Sequence, residues 1–269
     1  MSQVSSRPIA ETKLREILRD LTAVVVAYSG GVDSATLLAV AHEELHDNVL
    51  AITGSSSSIA QGEIEAAAEL AKQIGVSHEI IETHEFDNPN YISNPKNRCF
   101  YCKDELFSRL VAIARERGYA YVLDGSNADD GRTPQDYRPG QEAGRRLGVR
   151  SPLAQAGLGK AAIRDLAKRL GLVVHDKPAT PCLSSRVPHG TAINAEDLRR
   201  IDLAERYLRA LGYDVVRVRH YGSTARIEVP ADRIEQLQSA RRRIGQTLRS
   251  VGYEQVEIDT RGYRTGSLN

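Results

Sequence analysis

The sequence predicts an α/β fold, a doubly wound parallel sheet with a smaller C-terminal α+β domain, within 269 residues. Three observations predict it. Apolar, β-branched runs alternate with stretches of helical periodicity at strand–helix–strand lengths. The first such run, Ala23-Val24-Val25-Val26-Ala27-Tyr28, empties directly into Ser29-Gly30-Gly31-Val32-Asp33-Ser34. Beyond Pro188 the order changes to helix, strand, strand, helix, strand.

Each element follows from its own pattern. Leu14, Ile17, Leu18 and Leu21 recur at helical spacing around Thr12 to Asp20, and Val24 to Val26 reads as a central strand. A helix is expected over Ala35 to Leu45, then a strand over Asn48 to Thr53 and a serine-rich loop over Ser55 to Ser58. Glu63 to Ile74, rich in Ala and Glu and stopped at Gly75, is a helix, with His78 to Ile81 as its strand. Asp104 to Arg117, stopped at Gly118, is the next helix, and Tyr121 to Asp124 the next strand. Cys99 and Cys102 are thereby placed just before a helix. Gly125 to Val149 has little periodicity and much Gly, Pro, Asp and Arg, so it reads as a long loop, after which Lys160 to Leu170 is again helical. In the C-terminal part, LRALGYDVVRVR (Leu208 to Arg219) and LRSVGYEQVEID (Leu248 to Asp259) echo one another about 40 residues apart. These shifts divide the chain into domains 1–188 and 189–269.

Charge and composition narrow the function. Lys and Arg number 36 against 35 Asp and Glu, so no net field draws in nucleic acid or an anionic membrane, and a small-molecule substrate is expected. No apolar run approaches the ~20 residues of a membrane span, and no secretory leader is read at the start, which places the protein in the cytoplasm. Three cysteines, an odd number without an export signal, point to thiol or metal chemistry in preference to a disulfide framework.

The paired glycines have a physical use. Glycine tolerates positive φ and close approach, so Gly30 and Gly31 can turn successive N–H groups into one hollow. That hollow opens at a helix N-terminus, where unpaired N–H groups and the helix dipole attract anions, and Ser29 and Ser34 add hydroxyls. A phosphate fits there. Asp33 beside it either holds Mg²⁺ against the phosphates or caps the helix. Neither the Walker lysine pattern nor G-x-G-x-x-G is present. S-G-G-V-D-S after a first strand resembles the PP-loop ATP pyrophosphatases, a resemblance that implies an adenine nucleotide alpha hydrolase-like fold and cleavage of ATP between its α and β phosphates.

The cysteines carry a narrower signal. Cys99 and Cys102 lie in R-C-F-Y-C-K and Cys182 in D-K-P-A-T-P-C-L-S-S-R. Three thiolates suit a [4Fe-4S] cluster with one iron open, or a Zn²⁺ completed by His175 or His189; any of them can also be core filler. With S-G-G-V-D-S, the motifs L-D-G-S-N-A-D-D, D-Y-R-P-G, P-C-L-S-S-R-V-P-H-G and R-V-R followed by A-R-I-E make the whole length similar to the LarE family of sulfur transferases in nickel-pincer nucleotide cofactor synthesis. The resemblance implies an enzyme that adenylates the carboxylates of pyridinium-3,5-biscarboxylic acid mononucleotide with ATP and replaces AMP by sulfur. It also implies a homo-oligomer, hexameric in form. Family members divide between those that sacrifice the sulfur of the cysteine matching Cys182 and three-cysteine members that are similar to [4Fe-4S]-dependent thiolases; possession of all three favours the cluster. The immediate sulfur donor is not readable.

The expected site residues follow. Ser29, Gly30, Gly31, Asp33 and Ser34 hold pyrophosphate and Mg²⁺; Gly125 and Ser126 border the adenosine. Asn127, Asp129 and Asp130 resemble the acidic loop of related thiolases; Asp129 and Asp130 are a second metal or water-ordering pair or, as is commoner for adjacent loop carboxylates, simply solvated. Lys103 offsets charge on the adenylated substrate or is an exposed helix-start lysine. Strand alternation puts Arg217 and Arg219 on one face with Val216 and Val218 toward the core. They grip the mononucleotide phosphate with planar forks, or join Arg226 and Glu228 in a solvated ion-pair ladder. Arg241, Arg242 and Arg243 read as an exposed helix face. Rival readings are an ATP-dependent tRNA thiolase, which needs a basic RNA surface, and a zinc-stapled nucleotide-binding module without sulfur chemistry.

Overall fold

A computed structural model describes residues 8–132 and 138–264; Asp136 and Tyr137 of the D-Y-R-P-G motif lie outside the described residues. In chain order the elements are α1 (Ile9–Arg19), β1 (Val24–Ala27), α2 (Val32–Leu45), β2 (Val49–Ser55), α3 (Glu63–Ile74), β3 (Ser77–Glu82), α4 (Pro89–Ile92), α5 (Arg98–Glu116), β4 (Tyr121–Leu123), α6 (Pro139–Arg146), α7 (Pro152–Gln155), α8 (Lys160–Arg169), α9 (Ala195–Ala210), β5 (Arg217–Tyr221), β6 (Thr224–Glu228), α10 (Ile234–Ser239), α11 (Arg241–Ser250) and β7 (Gln255–Ile258). They divide into two compact units, one comprising 1–56, 62–85 and 97–179, the other 57–61, 86–96 and 180–269.

The first unit is built on a four-stranded parallel sheet in the order β3-β2-β1-β4. Its α/β character matches the expectation, and the period-2 geometry of β1 explains the layering. Val24 and Val26 join Leu14, Leu18, Leu37, Leu38, Leu70, Ile163 and Leu166 on the face covered by α1, α2, α3 and α8. Val25, with Leu50 and Ile52, faces Phe107, Leu110 and Ala143 of α5 and α6. A run that is apolar at every position is what a strand buried on both faces requires. The order reverses at β1: the chain moves outward through β2 and β3, then returns to add β4 on the other side. Ligands of such sheets bind beyond the C-terminal strand ends at this switch point.

Two expectations change. Helix α5 begins at Arg98, not near Asp104, so Cys99 and Cys102 stand in its first turns; nothing in Arg98 to Lys103 breaks a helix, and the polar start hides its period. The stretch read as loop contains α6, whose Pro-Gly opening and second glycine mask eight helical residues.

The second unit has a three-stranded sheet, β5-β6-β7, with β5 and β6 antiparallel and β6 and β7 parallel. Ala204, Leu208, Val216, Val218, Ile227, Leu237, Ile244 and Leu248 form its core. The segment 180–188, carrying Cys182, groups with this unit. Arg241, Arg242 and Arg243 are exposed at the start of α11. Among the described residues no helix is long and apolar enough to cross a membrane.

Candidate active site

The turn between β1 and α2 stands at the switch point. Gly30 has φ of +67°, and a Cβ on it would lie 2.8 Å from the Ala67 Cβ and 3.0 Å from the Ala67 Cα of α3. Both the backbone and the space therefore demand glycine there. Gly31 is the N-cap of α2, with extended backbone and no side-chain cap. The two serines meet over it: Ser29 Oγ and Ser34 Oγ are 3.2 Å apart, Ser34 Oγ donates to the Gly31 carbonyl at 3.2 Å, and the Ser29 N–H donates to Ser34 Oγ at 3.3 Å. The turn is thus held by its own side chains. Asp33, in the first turn of α2, is half-engaged: Lys160 Nζ donates to its Oδ2 at 2.6 Å, while its Oδ1 is buried without a hydrogen-bond partner.

The loop after β4 closes on the same turn. A Cβ on Gly125 would fall 3.0 Å from the Ser34 N and 3.2 Å from its Cα, so the two loops touch backbone to backbone. Asp124, which periodicity reads only as a strand end, organises this loop: its carboxylate accepts from the Ser126 N–H at 3.2 Å, Ser126 Oγ at 2.8 Å and Ser151 Oγ at 2.6 Å. Asn127 Oδ1 accepts from the Asp129 N–H at 2.9 Å, and Asp130 Oδ2 from the Asn127 N–H at 3.0 Å. Asp129 Oδ2 accepts the Lys160 N–H at 2.7 Å, capping α8, and Asp130 pairs with Arg138 at 3.1 Å. These two carboxylates are occupied in shaping the loop.

Cys99 and Cys102 lie three positions apart in α5, one exposed and one partly buried, so they share a helix face. Lys103 beside them is partly buried, its ammonium 5.2 Å from the ring centre of Phe107. None of the three cysteines is in a disulfide. Among the described residues no three His, Cys, Asp or Glu side chains gather as a metal site.

In the second unit the Cys182 turn is moored by arginine. Arg186, wholly buried, donates to the Pro181 carbonyl at 2.6 Å, to the Cys182 carbonyl at 3.0 Å, and through Nε and Nη2 to the two Glu205 oxygens at 2.8 and 2.9 Å. Burial alone would raise the Glu205 carboxyl; the Arg186 fork and Arg209 override it and hold it below the usual range. Arg219 donates to the Ser185 carbonyl at 2.9 Å and pairs with Glu228 at 2.8 Å. Arg217, partly stacked 5.4 Å from the ring centre of Tyr263, donates to the Val216 carbonyl at 2.8 Å. Burial first, then the charge of Arg186, pulls the Arg217 pKa down, against the opposing charge of Glu205. The alternation of β5 is as expected, with Val216 and Val218 in the core. Its arginine face, however, is buried, at 6% and 5% exposure, so the Arg219–Glu228 pair is no solvated ladder.

Comparison with known proteins fits this geometry. The family model described as queuosine biosynthesis protein QueC matches residues 22–93, a stretch that includes the glycine turn. A pyridinium-3,5-bisthiocarboxylic acid mononucleotide synthase of Lactiplantibacillus plantarum is 37% identical over 94% of this chain and 91% of its own. The chain belongs to the LarE family. Membership makes it an enzyme, an ATP-dependent sulfurtransferase. An uncharacterized protein of Synechocystis sp. is 45% identical over 95% of both chains. A tRNA-specific 2-thiouridylase MnmA of Rickettsia peacockii is 28% identical over only 58% of this chain and 52% of its own.

For a LarE-family site, sequence reading missed Asp124, Ser151 and Lys160 in the first unit and Arg186 and Glu205 in the second. Asp124 and Arg186 sit inside the motifs L-D-G-S-N-A-D-D and P-C-L-S-S-R, which is a signal of sorts. Lys160 pairs with a residue 127 positions away, and nothing local announces it.

Proposed function

We propose that this enzyme uses ATP to convert the carboxylates of pyridinium-3,5-biscarboxylic acid mononucleotide to thiocarboxylates through an acyl adenylate. The observation that carries the first half is the turn Ser29 to Ser34: a glycine-built hollow at the switch point, at a helix N-terminus, pressed against the Gly125 loop. A carboxylate oxygen attacks the α-phosphorus, the α–β bridging bond breaks, and pyrophosphate leaves into the hollow, where helix-end N–H groups and the hydroxyls of Ser29 and Ser34 hold it. Gly125 and Ser126 border the adenosine, since they lie across the switch point from the hollow. Asp33, with one buried oxygen lacking a partner, is the residue fitted to hold Mg²⁺. Lys103 offsets charge on the adenylated substrate.

The substrate phosphate is assigned to Arg217 and Arg219. In support, Arg217 is buried beside Arg186 with its pKa depressed, an environment that an oxyanion relieves, and Arg219 is joined to the turn that carries Cys182. The small unit accordingly binds substrate, and the family resemblance extends the proposal to a homo-oligomer.

Sulfur arrives by replacement of AMP at the acyl carbon: a carbon–sulfur bond forms and the carbon–oxygen bond to AMP breaks. Cys99, Cys102 and Cys182 are proposed as ligands of a [4Fe-4S] cluster; in support, Cys99 and Cys102 stand one helical turn apart in α5, and thiolates are the donors such a cluster takes. Such a cluster, with one iron open, supplies a sulfide nucleophile at neutral pH.

The test is product analysis with ATP, Mg²⁺ and the mononucleotide: release of AMP and pyrophosphate supports the reading, and ADP with orthophosphate ends it. For the sulfur step, anaerobically purified protein is assayed for iron and acid-labile sulfide, and Cys99→Ala for turnover. Stoichiometric zinc, or full turnover by that variant, removes the cluster, and loss of about 34 Da at Cys182 after one turnover assigns the sulfur to that residue instead.

A further inference from the structure

A cavity of about 220 Å³ lies in the first unit between the ends of three helices. His42 and Glu43 enter it from the last turn of α2, Leu70 and Gln73 from the C-terminal part of α3, and Leu172 and Val173 from the chain that leaves α8. All three helices therefore turn their partially negative, carbonyl-bearing ends toward it. It stands at the far end of α2 from the glycine turn, a helix of 14 residues that spans about 20 Å.

The polar side chains of the cavity present acceptors. The His42 Nδ1–H donates to the His46 carbonyl at 3.1 Å, which leaves Nε2 of the neutral ring with a bare lone pair; a Cβ on Gly75, the residue that ends α3, would lie 3.5 Å from it. The Gln73 amide nitrogen donates to Glu69 at 3.3 Å, which leaves its Oε1 to accept. Glu43 is a carboxylate, one oxygen of which Arg15 holds at 2.7 Å. No described lysine or arginine lines the cavity: Arg169, in the last turn of α8, is drawn off to Glu11 at 2.6 Å.

Acceptors, three helix C-termini and an apolar wall select one chemistry. The ligand must bring donors, a positive charge, and hydrocarbon to lie on Leu70 and Leu172. A primary ammonium has three donors and no acceptor, whereas an anion meets only repulsion. The volume exceeds the ~150 Å³ that takes up benzene, so a body of one small ring fits. We propose that this cavity binds a small primary ammonium ion carrying a short apolar body. The site is separate from the Ser29 to Ser34 turn and does not depend on how that turn is used.

Titration of the isotope-labelled enzyme with benzylammonium at pH 8, followed by amide chemical shifts, tests this. Saturable shifts are expected at Gly75, Gly171 and Val173. Benzyl alcohol should bind about 10-fold more weakly, the loss of a charge-assisted contact, and benzoate not at all. His42→Leu should weaken benzylammonium about 10-fold; Gln73→Leu, at an exposed helix position, should weaken it about 3- to 10-fold and serves alone if the His42 variant does not fold. Shifts that fail to saturate or that fall elsewhere, benzoate or benzyl alcohol binding as tightly as the ammonium, or unaltered affinity in the variants each overturns the proposal.

Discussion

Replacing Gly30 by Ala puts the central turn to a quantitative test. The substitution forces an L-residue to φ of +67°, which costs about 1–2 kcal/mol. Its Cβ must also enter space 2.8 Å from the Ala67 Cβ and 3.0 Å from the Ala67 Cα, backbone of a packed helix, and such overpacking costs about 1–3 kcal/mol. The sum, about 2–5 kcal/mol, is a large share of a typical domain's stability and corresponds to a melting shift of about 4–20 °C. Ala67→Gly in the same chain removes the clash with the methyl group and leaves the φ strain and the crowding against the α3 backbone. A double-mutant cycle by thermal melting should therefore recover part of the loss and show coupling of about 0.5–3 kcal/mol. Whatever relaxation occurs must displace the N–H groups of the turn, so ATP affinity should fall in Gly30→Ala even where the fold survives. A variant that melts and binds ATP as wild type does, with no coupling to position 67, would refute the claim that steric fit to α3 shapes the hollow.

Glu205→Gln leaves Arg186 buried without its counter-charge and should cost about 3–5 kcal/mol by thermal melting. Because the Glu205 carboxyl is held low in the folded state, its contribution is present above the unfolded pKa and lost as pH falls through the folded one; the gap between wild type and variant must close in acid. A gap independent of pH would contradict the pairing. Asp202 runs the other way. Burial raises its pKa, against the Gln61 N–H and nearby arginines, so stability falls as pH rises through the folded value; Asp202→Asn should raise the melting temperature at pH 8, with the gain shrinking toward pH 4. Asp129→Ala removes the cap of α8 and should cost about 0.5–2 kcal/mol in a melting assay.

Local pattern reveals what depends on local pattern. Helix α3 is read with its observed bounds because Ala and Glu fill it and Gly75 stops it, and β1 because only a doubly buried strand tolerates valine at successive positions. The same reasoning misplaces the start of α5, where Cys99-Phe100-Tyr101-Cys102 has no amphipathic period, and overlooks α6, where two glycines dilute it. The glycine turn is legible as an anion hollow from its residues, although the role of Ala67 in enforcing Gly30 is not. Arg217 and Arg219 alternate against Val216 and Val218 as their spacing requires, yet both are buried, and Arg219 bonds the Ser185 carbonyl 34 positions away, a long-range event. Lys160 and Glu205 belong to the same class: each acts on a partner that only folding brings near.

The discontinuity of the second unit has a consequence for how the chain can be divided. The polypeptide passes between the units five times, after Ser56, Gln61, Glu85, Lys96 and Ala179. The short visits matter: Ser58 accepts the Leu183 N–H at 2.8 Å, and the Asn94 amide donates to the Pro188 and Thr191 carbonyls at 2.9 and 3.0 Å, bracing either side of the cysteine turn. Neither unit can therefore be lifted out or exchanged by cutting the chain at a single point.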